Sequence, residues 1–303
     1  MSFNKLDLAP IIIFAYKRID HLKLLIESLK KNQECPHSEL IIYSDGPKND
    51  DEVKKIIQVR SFLKSITGFK KIEIIERESN IGLSNSIISG VSETLSYKNK
   101  AIILEDDLVV SSLLLKYMNS ALNLYEFNLN VASIHAYSYP VKGSLPDYFF
   151  LRGADCWGWA TWKDRWDLLN TDSKDLLKKI QESNLKNRFN FDGSHDFYQM
   201  LLDNALEKND SWAIRWHASM FLENKLTLYP GTSFAKNIGN DGSGTHSESS
   251  NSFDTSLSEE LLHMKNIDVC ESQVAYQLFK SFFLSRLSFF SKLKSKIKNL
   301  YDL

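Results

Sequence analysis

Residues 102–111 read Ile-Ile-Leu-Glu-Asp-Asp-Leu-Val-Val-Ser and place three consecutive carboxylates, Glu105, Asp106 and Asp107, at the end of an apolar run of strand length. A carboxylate there has lost much of its water, so it must be hydrogen-bonded, protonated or bound to a cation. Three together make simultaneous ionisation costly unless positive charge arrives. A hard divalent cation, held by one or two carboxylates and completed by the oxygens of a diphosphate, meets that demand. Side chains alternate along a strand, so Glu105 and Asp107 are expected on one side and Asp106 on the other. In the competing reading the chain has already turned, and the acids are solvated or cap a helix that begins near Ser111.

The same pattern of apolar run and polar exit precedes the triplet three times. Residues 10–15 form a continuous apolar run, followed at 20–32 by Leu22, Leu25, Ile26 and Leu29 on one helical face. Residues 40–44 are a second strand ending in Ser-Asp-Gly-Pro, with Val53, Ile56, Ile57 and Leu63 marking the next helix. A third strand at 71–76 leads to a helix whose Ile87, Val91 and Leu95 lie behind a Ser/Asn-rich cap. The fourth, 101–104, runs into the triplet. Strands apolar on both faces, alternating with helices, predict an α/β fold with a mostly parallel sheet covered on both sides. Ligands of such sheets sit at the carboxyl ends of the strands, near the point where strand order reverses. The four exits at 16–18, 45–47, 80–82 and 105–107 are therefore the candidate site. Taken alone, Asp45 is a turn residue; set beside Arg18, Asn80 and the triplet, it can accept the N3 proton of a uracil ring.

Bulk composition narrows the class. The 303 residues are 43% hydrophobic, enough for one large domain or two small ones, and 37 basic against 38 acidic residues leave no global field for nucleic acid. Cys35, Cys156 and Cys270 are odd in number and far apart, so neither a disulfide framework nor a structural zinc site is expected, and a reducing cytoplasm is the natural reading. The N-terminus lacks the pattern of a signal peptide, and no segment approaches the roughly 20 apolar residues of a spanning helix. Without a linker or a repeat, one domain is expected over 1–265, with 8–140 as its nucleotide-binding half, 141–265 as its acceptor half built onto the sheet edge, and 266–303 as a helical segment.

The ordered motifs Phe-Ala-Tyr-Lys-Arg, Ser-Asp-Gly-Pro, Asn-Ile-Gly-Leu-Ser-Asn-Ser-Ile, Leu-Glu-Asp-Asp and Gly-Trp-Ala-Thr-Trp resemble those of GT-A nucleotide-sugar glycosyltransferases, with a Rossmann-like mixed sheet. Over roughly residues 8–250 the chain is similar to bacterial polysaccharide glycosyltransferases and, more distantly, to the N-acetylglucosaminyltransferase I type. The resemblance implies Mn²⁺ or Mg²⁺ on Asp107, and donor contacts from Glu105 and Asp106. It also implies a nucleotide base, uracil by the family pattern, held by Ala15, Tyr16, Arg18 and Asp45, with Asn80, Gly82 and Ser84 near the sugar-phosphate. The reaction so implied is metal-dependent, inverting transfer from a nucleotide-diphosphate sugar, a UDP-sugar by this pattern, to a glycan of the bacterial surface.

The second half supplies the acceptor side. Inversion needs a base on the acceptor hydroxyl, and the resemblance points to Asp196, with His195 and Asp155 as rivals; Asp196 alternatively caps a helix. Helices are expected around 195–208 and 212–224. Trp159, Trp162 and Trp166 are spaced for one helical face and read mainly as core, while Trp157 or Trp159 can instead stack on a sugar. The glycine-rich loop 237–250 has the composition of a lid, in which His246 is a metal or diphosphate ligand or an exposed loop residue. Lys236 is a phosphate contact or a surface lysine. At the C-terminus, Lys280, Arg286, Lys292, Lys294, Lys296 and Lys298 interleave with Phe, Leu and Ile. Such a helix reads as an anchor on the cytoplasmic face of the inner membrane, suited to a lipid-linked acceptor, or as a helix packed on the domain or on a second subunit of a homodimer. Two other activities fit less of the pattern: a sugar-phosphate nucleotidyltransferase, which would want a glycine-rich phosphate loop near the N-terminus, and a non-catalytic carbohydrate-binding module.

Overall fold

The computed structural model describes residues 7–239, 251–260 and 264–287. Its strands are β1 (Ile11–Ala15), β2 (Glu39–Ser44), β3 (Lys71–Glu76), β4 (Lys100–Glu105), β5 (Leu108–Val110), β6 (Val131–His135), β7 (Tyr148–Arg152), β8 (Trp159–Trp162), β9 (Leu226–Pro230) and β10 (Ala235–Asn237). The helices are α1 (Ile19–Leu29), α2 (Asp50–Ser65), α3 (Leu83–Tyr97), α4 (Leu114–Tyr125), α5 (Lys163–Trp166), α6 (Ser173–Glu182), α7 (Lys186–Phe189), α8 (Phe197–Ala205), α9 (Trp212–Leu222) and α10 (Gln273–Arg286).

The main sheet has the order β3-β2-β1-β4-β8-β6-β9-β7. Its first four strands are parallel, and β8 enters antiparallel between β4 and β6. The expected α/β architecture is present, and the second half extends the same sheet. Every residue of β1 is buried. Ile11, Ile13 and Ala15 join a core with α1, α2 and α4, whereas Ile12 and Phe14 join the core under α3. Helices on both faces explain why the sequence of β1 is a continuous apolar run and not an alternating one. Helix α3 lies close to the sheet at Gly90, where a β-carbon would come within 2.7 Å of the Phe14 ring.

Chain order reverses between β1 and β4, and there the exits of both strands meet, with Phe14 in register with Glu105. After Glu105 the chain turns at Asp106 and Asp107, then leaves the main sheet as β5 to pair with β10. The triplet therefore does not continue as a strand, and helix α4 starts only at Leu114. Neither strict alternation of the three acids nor a helix cap at Ser111 describes them.

The tryptophan segment also differs from its helical spacing. It is strand β8 followed by the short α5, so Trp159 and Trp162 pack in different cores on the two faces of the sheet. Trp159 is fully buried, its ring 5.5, 5.3 and 5.7 Å from those of Trp166, Trp212 and Trp216. It cannot stack on a sugar, and that expectation is withdrawn.

Within the C-terminal segment, α10 packs on the domain. Ala275, Tyr276, Phe279 and Phe283 are buried against Phe149, Leu151 and Tyr229, the Ser272 amide donates to the Phe150 carbonyl at 2.9 Å, and Lys280 pairs with Asp192 at 3.0 Å. Residues 273–286 thus take the packed alternative and are not a separate surface anchor; Lys292, Lys294, Lys296 and Lys298 lie outside the described residues. Among the described residues, no helix is long and apolar enough to cross a membrane.

Candidate functional site

At the switch point one cation serves two acids. The turn after β4 brings Asp106 and Asp107 to the same guanidinium nitrogen of Arg18, which donates to them at 2.5 and 2.9 Å. The Tyr16 amide adds a second bond to Asp106 at 3.2 Å. Burial pulls the Arg18 guanidinium toward neutrality, but the Asp106 and Asp107 charges more than offset it, so Arg18 titrates above its ordinary range. Asp106 is 5% exposed, and its carboxyl is held up by burial against the opposing pull of Arg18. Glu105 is pushed up to about 8, by burial first and then by the charges of Asp107 and Asp106, with Arg18 relieving only part. Two aspartates share one guanidinium at a half-buried edge, with a third carboxyl beside them that keeps its proton near neutral pH, and an all-oxygen donor set of this kind suits a hard divalent cation. Among the described residues, no group of three His, Cys, Asp or Glu side chains is already arranged around a metal position. His246 lies outside the described residues. The strand that leads to it does reach the triplet: the Ile238 amide donates to the Asp107 carbonyl at 2.8 Å, and a β-carbon on Gly239 would collide with the Asp107 carboxylate.

The exits of β2 and β3 are tied to each other by Asp45. Its carboxylate accepts from the amides of Gly46 at 3.0 Å, Ile81 at 3.1 Å and Gly82 at 3.2 Å. The side chain expected to read a uracil ring therefore organises the loop that would face the sugar-phosphate. Asn80 braces the same loop, donating to the Gly46 carbonyl at 3.1 Å and accepting from the Gly82 amide. Gly82 opens α3 at φ 81°, a conformation that a side chain would strain. Ser84 is fully buried and bonded to the Arg215 guanidinium of α9. Ala15 is the buried last residue of β1. Tyr16 donates to Glu52 on α2, which also takes Lys17 at 2.6 Å and the Lys48 amide at 3.1 Å. The hydrogen bonds from Lys17 and Tyr16 hold Glu52 down to about 2, and burial followed by the Glu52 contact lifts Tyr16 to about 12. Glu52 and Arg215 carry no sequence signal: one sits in an ordinary acidic first turn, the other inside an apolar helix.

Beside this edge lies a cavity of about 210 Å³ whose wall includes Asp155, Trp157 and His195. Asp155 accepts from the Tyr139 hydroxyl at 2.9 Å and the Cys156 amide at 2.8 Å. Cys156 links the two places, since burial and then the charges of Asp155, Glu105 and Asp107 push its thiol well up. His195 is stacked on Phe197 at 4.1 Å between ring centroids and pushed down to about 4, by burial first and the neighbouring His217 second. Asp196 is exposed and caps α8, accepting from the Gln199 amide at 3.2 Å; it is not part of the cavity wall. Lys236, in β10, pairs with Asp254 at 3.3 Å.

One carboxylate that the sequence did not single out stands between the two places. Asp210 lies just before Ser211, the N-cap of α9. Its Oδ1 is 3.4 Å from the Arg215 guanidinium and its Oδ2 would be 3.9 Å from a β-carbon on Gly82, while the next residue, Ser211, belongs to the cavity wall. Its side chain is 67% exposed and so open to a substrate.

Residues 11–185, more than half of the chain, match the family model described as glycosyl transferase family 2. The chain belongs to glycosyl transferase family 2. The mixed sheet with its parallel half and polar strand exits is the GT-A arrangement that the motifs implied, and the family's matched region ends before α8, α9 and α10. Among solved structures this family member is similar to TarS from S. aureus, at 12% identity and TM-score 0.32 over 49% of this chain and 25% of that one. A crystal structure of TarS residues 1–349 gives 12% identity and TM-score 0.33 over 54% and 48%. The mannosyltransferase PcManGT from Pyrobaculum calidifontis, in complex with GDP-Man and Mn²⁺, gives 10% and 0.32 over 46% and 40%. The alignments thus span from a quarter to just under half of those chains. No curated protein matches significantly.

Proposed function

We propose that the chain transfers a sugar from a nucleotide-diphosphate donor to a glycan acceptor, with inversion, using a divalent cation held at Asp107. The observation that carries this is the Arg18 guanidinium shared by Asp106 and Asp107 at the switch point, with Glu105 beside them in excess. Arg18 fixes the two aspartates, and Asp107, with its side chain 15% exposed, is the member turned toward incoming oxygen ligands. Mn²⁺ or Mg²⁺, when bound, compensates the charge that develops on the leaving diphosphate. Asp106 stays an internal anchor and Glu105 the donor contact. His246 remains a candidate second ligand, on its sequence alone.

The acceptor hydroxyl must lose its proton on the face away from the diphosphate. We assign that proton to Asp210, because it borders both Gly82 on the donor edge and Ser211 in the cavity wall. Asp155 then binds the acceptor from the cavity wall, oriented by Tyr139. His195, half-buried against the Phe197 and Phe283 rings and neutral, is poorly placed for the base role, and the capping bond of Asp196 gives it another task.

A panel of nucleotide sugars, starting with the uridine diphosphate donors that the motifs imply, tests the reading by thermal unfolding with and without Mn²⁺. Ligand stabilisation follows mass action, so a donor at about 100 times its Kd should add about 2.7 kcal/mol. We expect this to need the cation and to vanish in Asp107→Asn. Stabilisation by glycan alone, with no response to any nucleotide, would favour the carbohydrate-binding alternative. Action at a membrane surface on a lipid-linked acceptor remains a proposal that rests on the lysines beyond residue 287, and sedimentation with anionic vesicles tests it.

A further inference from the structure

The larger part of the cavity beside the donor edge is built by elements that follow the family-matched region, while Tyr139, Arg152 and the 154–157 segment come from within it. Phe191, Phe197, Tyr229, Phe253, Phe279 and Phe283 supply most of its aromatic wall, and α10 contributes the last two. Its volume of about 210 Å³ is that of roughly seven waters. That is below the roughly 300–1,000 Å³ of pockets for drug-sized ligands, and it suits a single ring and not an oligosaccharide.

Its polar inventory is small. Asp155 is the acid in the wall, bonded to Tyr139 and to the Cys156 amide. Arg152 also lines the cavity, but its guanidinium donates to the Phe221 carbonyl at 2.8 Å and lies over the Phe221 ring. His217 is 7% exposed. Its Nδ1 meets the backbone of Ala154, while its Nε2 has no partner among the described residues, and neither has His195 Nδ1. Buried polar atoms without partners are costly, and a hydroxyl entering the cavity would satisfy them. Burial keeps both imidazoles neutral, so with the Arg152 guanidinium engaged by Phe221 the groups left to meet a ligand are the Asp155 carboxylate and uncharged donors and acceptors.

We infer that this cavity is the acceptor subsite, that it receives one neutral terminal sugar ring against its aromatic walls, and that α10 sets which ring fits. An anionic ring, a hexuronic acid for example, would bring a second carboxylate to Asp155 and is selected against, because the two nearby guanidiniums face elsewhere, Arg152 toward Phe221 and Arg286 over the Phe253 and Phe282 rings. Growth would then occur at a chain end, because one ring fills the space. This rests on the glycosyltransferase reading only for the word acceptor; the saccharide site itself does not.

The test uses the full chain and saturation-transfer NMR with methyl hexosides, methyl N-acetylhexosaminides and methyl hexuronides, and records nucleotide binding in the same samples. At least one neutral glycoside should bind and the hexuronides should not. Ala213→Phe fills the cavity from α9 without removing a packed group and should weaken that glycoside by about tenfold or more. Phe283→Leu reshapes the α10 wall and should change the ranking among the neutral glycosides. Unfolding curves check that both variants fold, and nucleotide affinity should be unchanged in both. No glycoside binding, equal binding of neutral and charged rings, or full binding in Ala213→Phe would each overturn the inference. Glycoside binding without any nucleotide binding would keep the subsite and overturn the donor reading instead.

Discussion

At the carboxyl ends of β1 and β4, three carboxylates crowd one guanidinium; in the cavity reached past Cys156 and Asp210, eight aromatic rings surround a single acid. The first place holds charge that is only partly compensated and calls for a cation and a polyanionic ligand. The second holds neutral imidazoles and ring faces and calls for an uncharged one. On the proposed function, an anionic leaving group and a neutral nucleophile must be kept apart until they meet, and the two linings would do that sorting by electrostatics.

Substitutions can break this division or sharpen it. The largest effect is expected from Asp210→Asn, where kcat should fall by about 10²–10⁴ with donor affinity retained, since general-base contributions are of that size. Asp155→Asn should instead act mainly on the acceptor KM. The reverse pattern in steady-state kinetics would move the base into the cavity. Next, Trp159→Ala should cost about 3–5 kcal/mol of stability in urea unfolding, as expected for a fully buried tryptophan. Trp157→Ala, which alters the cavity wall, should affect acceptor binding more than stability. Arg18→Met leaves Asp106 buried without its cation and should cost about 3–5 kcal/mol. An unchanged unfolding midpoint there would show that the acids do not need Arg18.

A smaller effect concerns pH. His135, His195 and His217 are all pushed below the ordinary histidine range by burial, His195 to about 4. The unfolded chain then binds more protons than the folded one between about 6.5 and 4, so stability should be full above about 6.5 and fall with decreasing pH, by up to about 1.4 kcal/mol per pH unit for each histidine. His195→Phe should flatten part of that slope in thermal unfolding between these limits. Smallest is Asp196→Ala, which removes a helix cap worth about 1 kcal/mol. It should leave transfer intact, and a large loss of turnover would restore Asp196 as the base.

The contrast also explains what could be read from sequence. The donor half was legible because parallel strands covered on both faces give unbroken apolar runs, such as 11–15, with their polar exits in plain view. The turn at Asp106 and Asp107 was not, because it depends on where β5 leaves to meet β10, a partner about 125 residues away in the chain. The second half was hidden for a similar reason. A tryptophan at 159, 162 or 166 is apolar in either period, and only the insertion of β8 between β4 and β6 decides for a strand. Asp210 looks like any acid before a helix until Gly82 and Ser211 are seen on either side of it.

The most direct measurement is turnover of the accepted nucleotide sugar by the wild-type chain and by Asp107→Asn, each with Mn²⁺ and with a chelator. The account predicts turnover that the chelator abolishes and that Asp107→Asn lowers by about 10²–10³ while the protein stays folded. Turnover that is indifferent to both the chelator and the substitution would contradict a metal-assisted donor site at the end of β4.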